Sequence, residues 1–226
     1  MARKIVLVAL FATVILLGGC NSMDINQRSH ESIRDEILEH LMQKYDREFT
    51  AISLDRASSF ATLTAFPTGG DPVADIVRVR RTEHSNGEVR IADTFFGVLI
   101  REEVEAEVTE LLSDVPIPFR VFYPSDIAYF ENIFDSAKSL NDFLSWRSDH
   151  PSWGFDITVV LSLNNLDEAD AYANLVFDSV RGSAFRGLFT VVVLPEEGFV
   201  RLSRTNVDVL IVEHRGETAT IGMNVG

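Results

Sequence analysis

FDITVVLSLNNLDEADAYANLVFDSVRGSAFRGLFTVVVL, residues 155–194, holds two apolar runs separated by a stretch of different rhythm. The runs 155–163 and 187–194 are short and rich in Val, Ile and Phe, which is the length and composition of buried strands. Between them Leu166, Ala169, Ala173, Val176, Phe177 and Val180 recur at steps of three and four, the apolar stripe of one helix face. Asn165 stands where a cap belongs, and Asp167 and Glu168 fall in the positive first turn. A strand, a helix and a strand in close succession imply a parallel crossover.

Working outward, IPFRVFY (117–123) reads as a further strand. Two short helical stretches follow, at about 126–137 and 139–147, the second capped by Ser139 with Asp142. Downstream, Gly198 to Met223 reads as strands joined by turns at Thr205-Asn206 and Arg215-Gly216. Residues 115–226 thus form a mixed α/β unit.

Residues 29–114 form a different unit. Ile33, Ile37, Leu41 and Tyr45 follow a four-residue spacing and predict a helix starting near Ser29. EFTAISL (48–54) and FATLTAF (60–66) are strand candidates. In ADIVRVRRTEHSNGEVRIADTFF (74–96), Asn86-Gly87 marks a hairpin, because both residues tolerate positive φ. Counting outward from a two-residue turn places Glu83 opposite Arg90 and Arg80 opposite Asp93. A helix with the stripe Ile100, Val104, Val108 and Leu111 follows over about 98–112. The fold class is therefore α+β, with two small mixed units: an antiparallel sheet with flanking helices, then a βαβ-containing sheet.

The amino-terminal end carries an address. Arg3 and Lys4 precede thirteen residues, Ile5 to Leu17, of which Thr13 alone is polar. A helix of that length rises about 20 Å against about 30 Å for a bilayer core, so it is short for a span and fits a secretory leader. Leu17-Gly18-Gly19-Cys20 follows, and Cys20 is the single cysteine of the chain. This order of charge, apolar run, small residues and cysteine resembles the lipobox of bacterial lipoprotein precursors. The resemblance implies cleavage between Gly19 and Cys20 and a diacylglyceryl group on the Cys20 sulfur. Residues 1–19 are then a lipoprotein signal peptide and residues 20–28 a lipidated cysteine with a short tether. It also places the protein on the extracytoplasmic face of a bacterial cell membrane, held there by lipid. Two acyl chains suffice for stable anchoring.

Composition narrows the chemistry. The chain carries 34 acidic and 20 basic residues, a net charge of −14, which repels nucleic acid and excludes it as a partner. With Cys20 acylated, no thiol remains for a disulfide, a thiolate metal site or cysteine catalysis. The five histidines fall in different elements without metal-ligand spacing, so no metal and no cofactor is expected. Arg181-Gly182-Ser183-Ala184-Phe185 lacks the G-x-S-x-G spacing of a nucleophile elbow and reads as a helix-ending turn.

Two features rise above this background. Arg78, Arg80 and Arg81 form a basic cluster, able to hold an anionic ligand or simply to pair with nearby acids. Ten aromatic residues fall within 119–155, where SWRSDHPSWG (145–154) sets Trp146 and Trp153 in a polar, turn-rich loop. Aromatics fill cores first, yet a loop of this kind also carries binding anchors. The leading expectation is a lipid-anchored envelope lipoprotein that binds an envelope protein without catalysis. The alternatives are a small-ligand-binding or sensory module, with a groove near Tyr123, Trp146 and Trp153, and a hydrolase using carboxylates.

Overall fold

The Ser29 hydroxyl accepts a hydrogen bond from the Ser32 amide and so starts helix α1, His30–Tyr45. This is the first element of a computed structural model that describes residues 29–125, 128–130, 132–150, 153–214 and 218–225. The leader, Gly19, Cys20 and the tether lie outside the described residues. The four-residue spacing of Ile33, Ile37, Leu41 and Tyr45 buries all four on one face of α1. That face lies on an antiparallel sheet of β1 (Phe49–Arg56), β2 (Phe60–Pro67), β3 (Val77–Glu83) and β4 (Val89–Asp93), in that spatial order. Strand alternation turns Leu63 and Ala65 of β2 and Val77 and Val79 of β3 toward the helix.

The hairpin register differs by one residue from expectation. Thr82 faces Arg90, Val79 faces Asp93, and neither Glu83–Arg90 nor Arg80–Asp93 is a pair. The cause is the turn. His84 N–H donates to Glu88 O, and Gly87 N–H donates to His84 O with Gly87 at φ 82°. The loop therefore has three residues, Ser85 to Gly87, with glycine in the left-handed position. One added residue moves every pairing by one.

Helix α2, Phe95–Leu111, starts directly after β4 and three residues before the expected 98. Its first two side chains diverge, since neighbours on a helix point about 100° apart. Phe95 enters the core beneath α1, whereas Phe96, Ile100, Val104 and Val108 enter a second core.

That second core underlies β5 (Phe119–Phe122), β6 (Phe155–Ser162), β7 (Gly187–Leu194) and β8 (Ala219–Val225). The strands lie in chain order, with β6 and β7 parallel and both outer pairs antiparallel. The crossover from β6 to β7 runs through a 3-10 turn, Leu166–Glu168, into an α-helix, Ala169–Val180. Ahead of it, helix α3 (Leu140–Ser148) has the Ser139–Asp142 capping box in full, so the crossover helix is α4. Ala169, Ala173, Val176, Phe177 and Val180 of α4 pack on Ile157, Val159, Val191 and Val193. The fold is α+β, with one antiparallel and one mixed four-stranded sheet.

Two stretches differ from the sequence reading. Among the described residues of 126–137 there is no helix. The carbonyls of Phe130 and Phe134 accept from Lys44 and Tyr45 of α1, and Phe130 pairs with Asp93, so this backbone is bonded across the fold instead of along itself. The second stretch is 198–223, where α5 (Glu196–Val200) and α6 (Val207–Glu213) replace strands and, among the described residues, β8 is the one strand. The valine-rich run Val207–Glu213 reads as β by propensity. Leu202 and Leu210 cover Val160, Val192 and Leu194 on the second face of the sheet, and that burial overrides propensity. Arg215-Gly216 lies outside the described residues.

Candidate functional site

The pleat of β3 separates the three clustered arginines. Arg78 and Arg80 are exposed on one face, and Arg81 is buried on the other, beneath α1. Arg81 pairs with Glu36 of α1 at 2.9 Å and with Glu83 at 3.2 Å, so it is a core ion pair. Arg80 lies over the ring of Tyr129 at 4.8 Å and over Phe60 at 5.6 Å. Arg78 donates its amide to the Thr94 hydroxyl at the start of α2.

Trp146 and Trp153 do come together. Their ring centroids are 5.6 Å apart and nearly perpendicular. Trp153 stacks on Phe130 at 5.5 Å, and Trp146 meets Phe134 edge-on at 5.2 Å and stacks on His150 at 4.0 Å. Both are partly buried against the second core. Their outer faces wall a half-open cleft of about 490 Å³ between the β3–β4 hairpin and the 129–134 segment. Tyr129, Phe130, Phe134 and the 53% exposed Ile133 continue the aromatic and apolar wall, and Arg80, His84 and Arg90 stand opposite. Apolar walls with a few polar groups at one side are the usual make-up of a ligand cleft, and this volume lies within the usual range. Of the six expected binding residues, the cleft unites Trp146, Trp153 and Arg80.

Tyr123 stands apart from that cleft. It is 5% exposed, with its ring 5.8 Å from Phe155. Burial first, and then the charge of Asp156, push its phenol well above its ordinary range. Tyr123 and Asp156 border two other cavities, one of which runs along the second face of the mixed sheet past Thr158, Thr190 and Thr220. The arginines of that groove are committed, Arg101 to Asp75 and Arg204 to Glu105.

Sequence reasoning missed the group that orients the aromatic wall. Asp93 is fully buried, accepting from Tyr45 Oη at 2.7 Å, Lys44 Nζ at 2.8 Å and the Phe95 amide at 2.9 Å. Burial, and next the charge and hydrogen bond of Asp93, hold the Tyr45 phenol far above its ordinary range. Lys44 and Tyr45 also reach the carbonyls of Phe130 and Phe134, so α1 pins the segment that walls the cleft. Adjacent Lys-Tyr at the end of an amphipathic helix gives no sign of this in one dimension. Among the described residues Asp93 is the one acid in the buried class, and these partners commit it. Ser183 sits in a helix-ending turn, its amide on Val180 O and its hydroxyl accepting from Phe185 N. No group of three His, Cys, Asp or Glu among the described residues is placed to hold a metal ion.

No protein-family model and no curated protein matches the chain. Among solved structures, it is similar to a DUF5037 family protein from Ruminococcus gnavus ATCC 29149, at 13% identity and a TM-score of 0.46. That match covers 86% of this chain and 92% of the other.

Proposed function

We propose that the protein is a lipid-anchored component of the bacterial cell envelope that binds a small ligand without catalysis, in the cleft between the β3–β4 hairpin and the 129–153 aromatic segment. The supporting observation is that Trp146, Trp153 and Arg80, distant in sequence, share one half-open cavity of about 490 Å³. A ligand with an apolar or aromatic face would lie on the indole and phenyl rings, and its polar end would meet Arg80, His84 and Arg90. The anchor at Cys20 keeps this cleft close to the membrane surface, because an eight-residue tether reaches at most about 28 Å.

The two tryptophans of the chain both wall the cleft, so their emission reports on it, and the Arg80 variant assigns a shift to this cleft. The low-molecular-weight fraction of an envelope extract should shift that emission in the wild type and not in Arg80→Glu. Capture of an envelope protein is the second reading. It is favoured by Val200, Val209 and Val212 of α5 and α6, which are 71%, 55% and 68% exposed. The carboxylate-hydrolase reading gains no support, since the buried acid is engaged by Lys44 and Tyr45.

A further inference from the structure

Arg147 and Arg186 line a separate cavity of about 440 Å³, bordered by Tyr123, Asp156, Asn224 and the backbone of Gly154 and Gly187. Arg147 is 7% exposed. Its Nε donates to Trp153 O at 2.6 Å, its Nη1 donates to Ala184 O at 2.9 Å, and its guanidinium lies over the Phe155 ring at 5.8 Å. These carbonyls use two of five N–H donors and leave the positive charge uncompensated.

Among the described residues neither Arg147 nor Arg186 pairs with a carboxylate. The contrast with the other sheltered arginines is sharp, since Arg81, Arg101 and Arg204 each have an acid. The acid that borders the cavity, Asp156, pairs with neither Arg147 nor Arg186. Buried charges are normally paired, because an unpaired one keeps its desolvation penalty. What Arg147 meets instead is a second cation. Burial first, and then Arg186, draw its pKa below the ordinary range.

The cavity floor is bare main chain for a structural reason. Gly187 has φ 138°, and a Cβ there would fall 2.1 Å from Phe155 O, while one on Gly154 would fall 3.1 Å from Gly187 Cα. Gly187 therefore excludes a side chain, and at Gly154 one would fit only tightly.

We propose that this cavity binds a small monocarboxylate, gripped by the guanidinium groups of Arg147 and Arg186. A planar carboxylate matches the arginine fork. Asp156 borders the same cavity without pairing with either arginine, and burial holds its carboxyl above the ordinary range. Trp153 borders this cavity and the aromatic cleft alike, and its carbonyl accepts from Arg147, but the two arginines lie outside the aromatic cleft.

The test is calorimetric titration and thermal melting of the full-length protein in detergent with sodium acetate, against sodium chloride at equal ionic strength. Acetate should bind saturably and raise Tm. Arg186 is exposed, so Arg186→Ala should keep the wild-type Tm and lose about tenfold in acetate affinity. Arg147→Lys keeps the charge, loses the fork and should weaken binding comparably. Arg80→Glu should leave acetate affinity unchanged, which separates this site from the aromatic cleft. No saturable effect above chloride, or equal affinity in Arg186→Ala, overturns the proposal, as does phosphate binding tighter than acetate.

Discussion

Asp93 and Phe130 exchange two backbone hydrogen bonds, of 3.0 and 2.6 Å, which tie the end of β4 to the aromatic segment of the second core. The Asp93 side chain extends this link through Lys44 and Tyr45 to the carbonyls of Phe130 and Phe134. The wall of the cleft is therefore held by the first sheet and by α1. Asp93→Ala removes the carboxylate from a Lys44 side chain that is 5% exposed. Breaking such a buried pair from one side costs about 3–5 kcal/mol. Urea denaturation should show a loss of that size, and Asp93→Leu/Lys44→Met should lose less than Asp93→Ala alone. A loss below about 1 kcal/mol for Asp93→Ala would refute the latch.

His40 supplies a pH dependence of known sign. Burial holds its imidazole below the ordinary value of 6.5 and outweighs the attraction of Asp93, while Lys44 lowers it further and Glu36 opposes. Its Nε2 is buried without a hydrogen-bond partner. The unfolded chain therefore binds the proton more readily than the folded one. The stability that neutral His40 contributes is whole above about pH 6.5 and is lost as pH falls from there toward the depressed folded pKa. Between pH 7.5 and pH 5.5, the urea midpoint of the wild type should fall further than that of His40→Gln. Parallel pH profiles for the two proteins would contradict this assignment.

Gly187 tests the packing of the parallel pair. It lies opposite Phe155 in the register, at φ 138° and with no room for a Cβ. Gly187→Ala should destabilise by at least about 2 kcal/mol. Gly222→Ala is the control, because a Cβ there meets nothing nearer than Leu188 Cδ1 at 3.8 Å. Equal stability of the two variants would show that the strands shift to accept the methyl group.

Lipidation is tested in cells. Cys20→Ser should leave an uncut precursor that takes up no fatty-acid analogue, whereas the wild type is labelled and shortened. Equal labelling of the two would sink the lipoprotein assignment.

The central crossover was legible because its signals agree: two β-branched runs, one clean helical stripe and an asparagine cap. The Ser139–Asp142 capping box was legible for the same reason, being a local contact. The hairpin was found but misregistered, since Ser85-Asn86-Gly87 and Asn86-Gly87 are equally plausible loops until the strands pair. Val207–Glu213 carries strand-forming residues on a helix whose Leu210, with Val207 and Ile211, covers the sheet. In the site, aromatic density pointed to the right segment, but the pairing of Trp146 with Arg80 depends on how two sheets meet. Arg147 was passed over between its two tryptophans. Its burial without an acid is a fact of three dimensions, and one arginine in a polar loop is ordinary.

The most direct measurement of the binding account is mass spectrometry of small molecules released by denaturing the protein after purification from its native membranes. Arg80→Glu and Ile133→Ser alter the exposed edge of the cleft and should fold with wild-type stability. The account predicts a compound that is retained by the wild type and reduced by about tenfold or more in both variants. Equal recovery from all three proteins would contradict it.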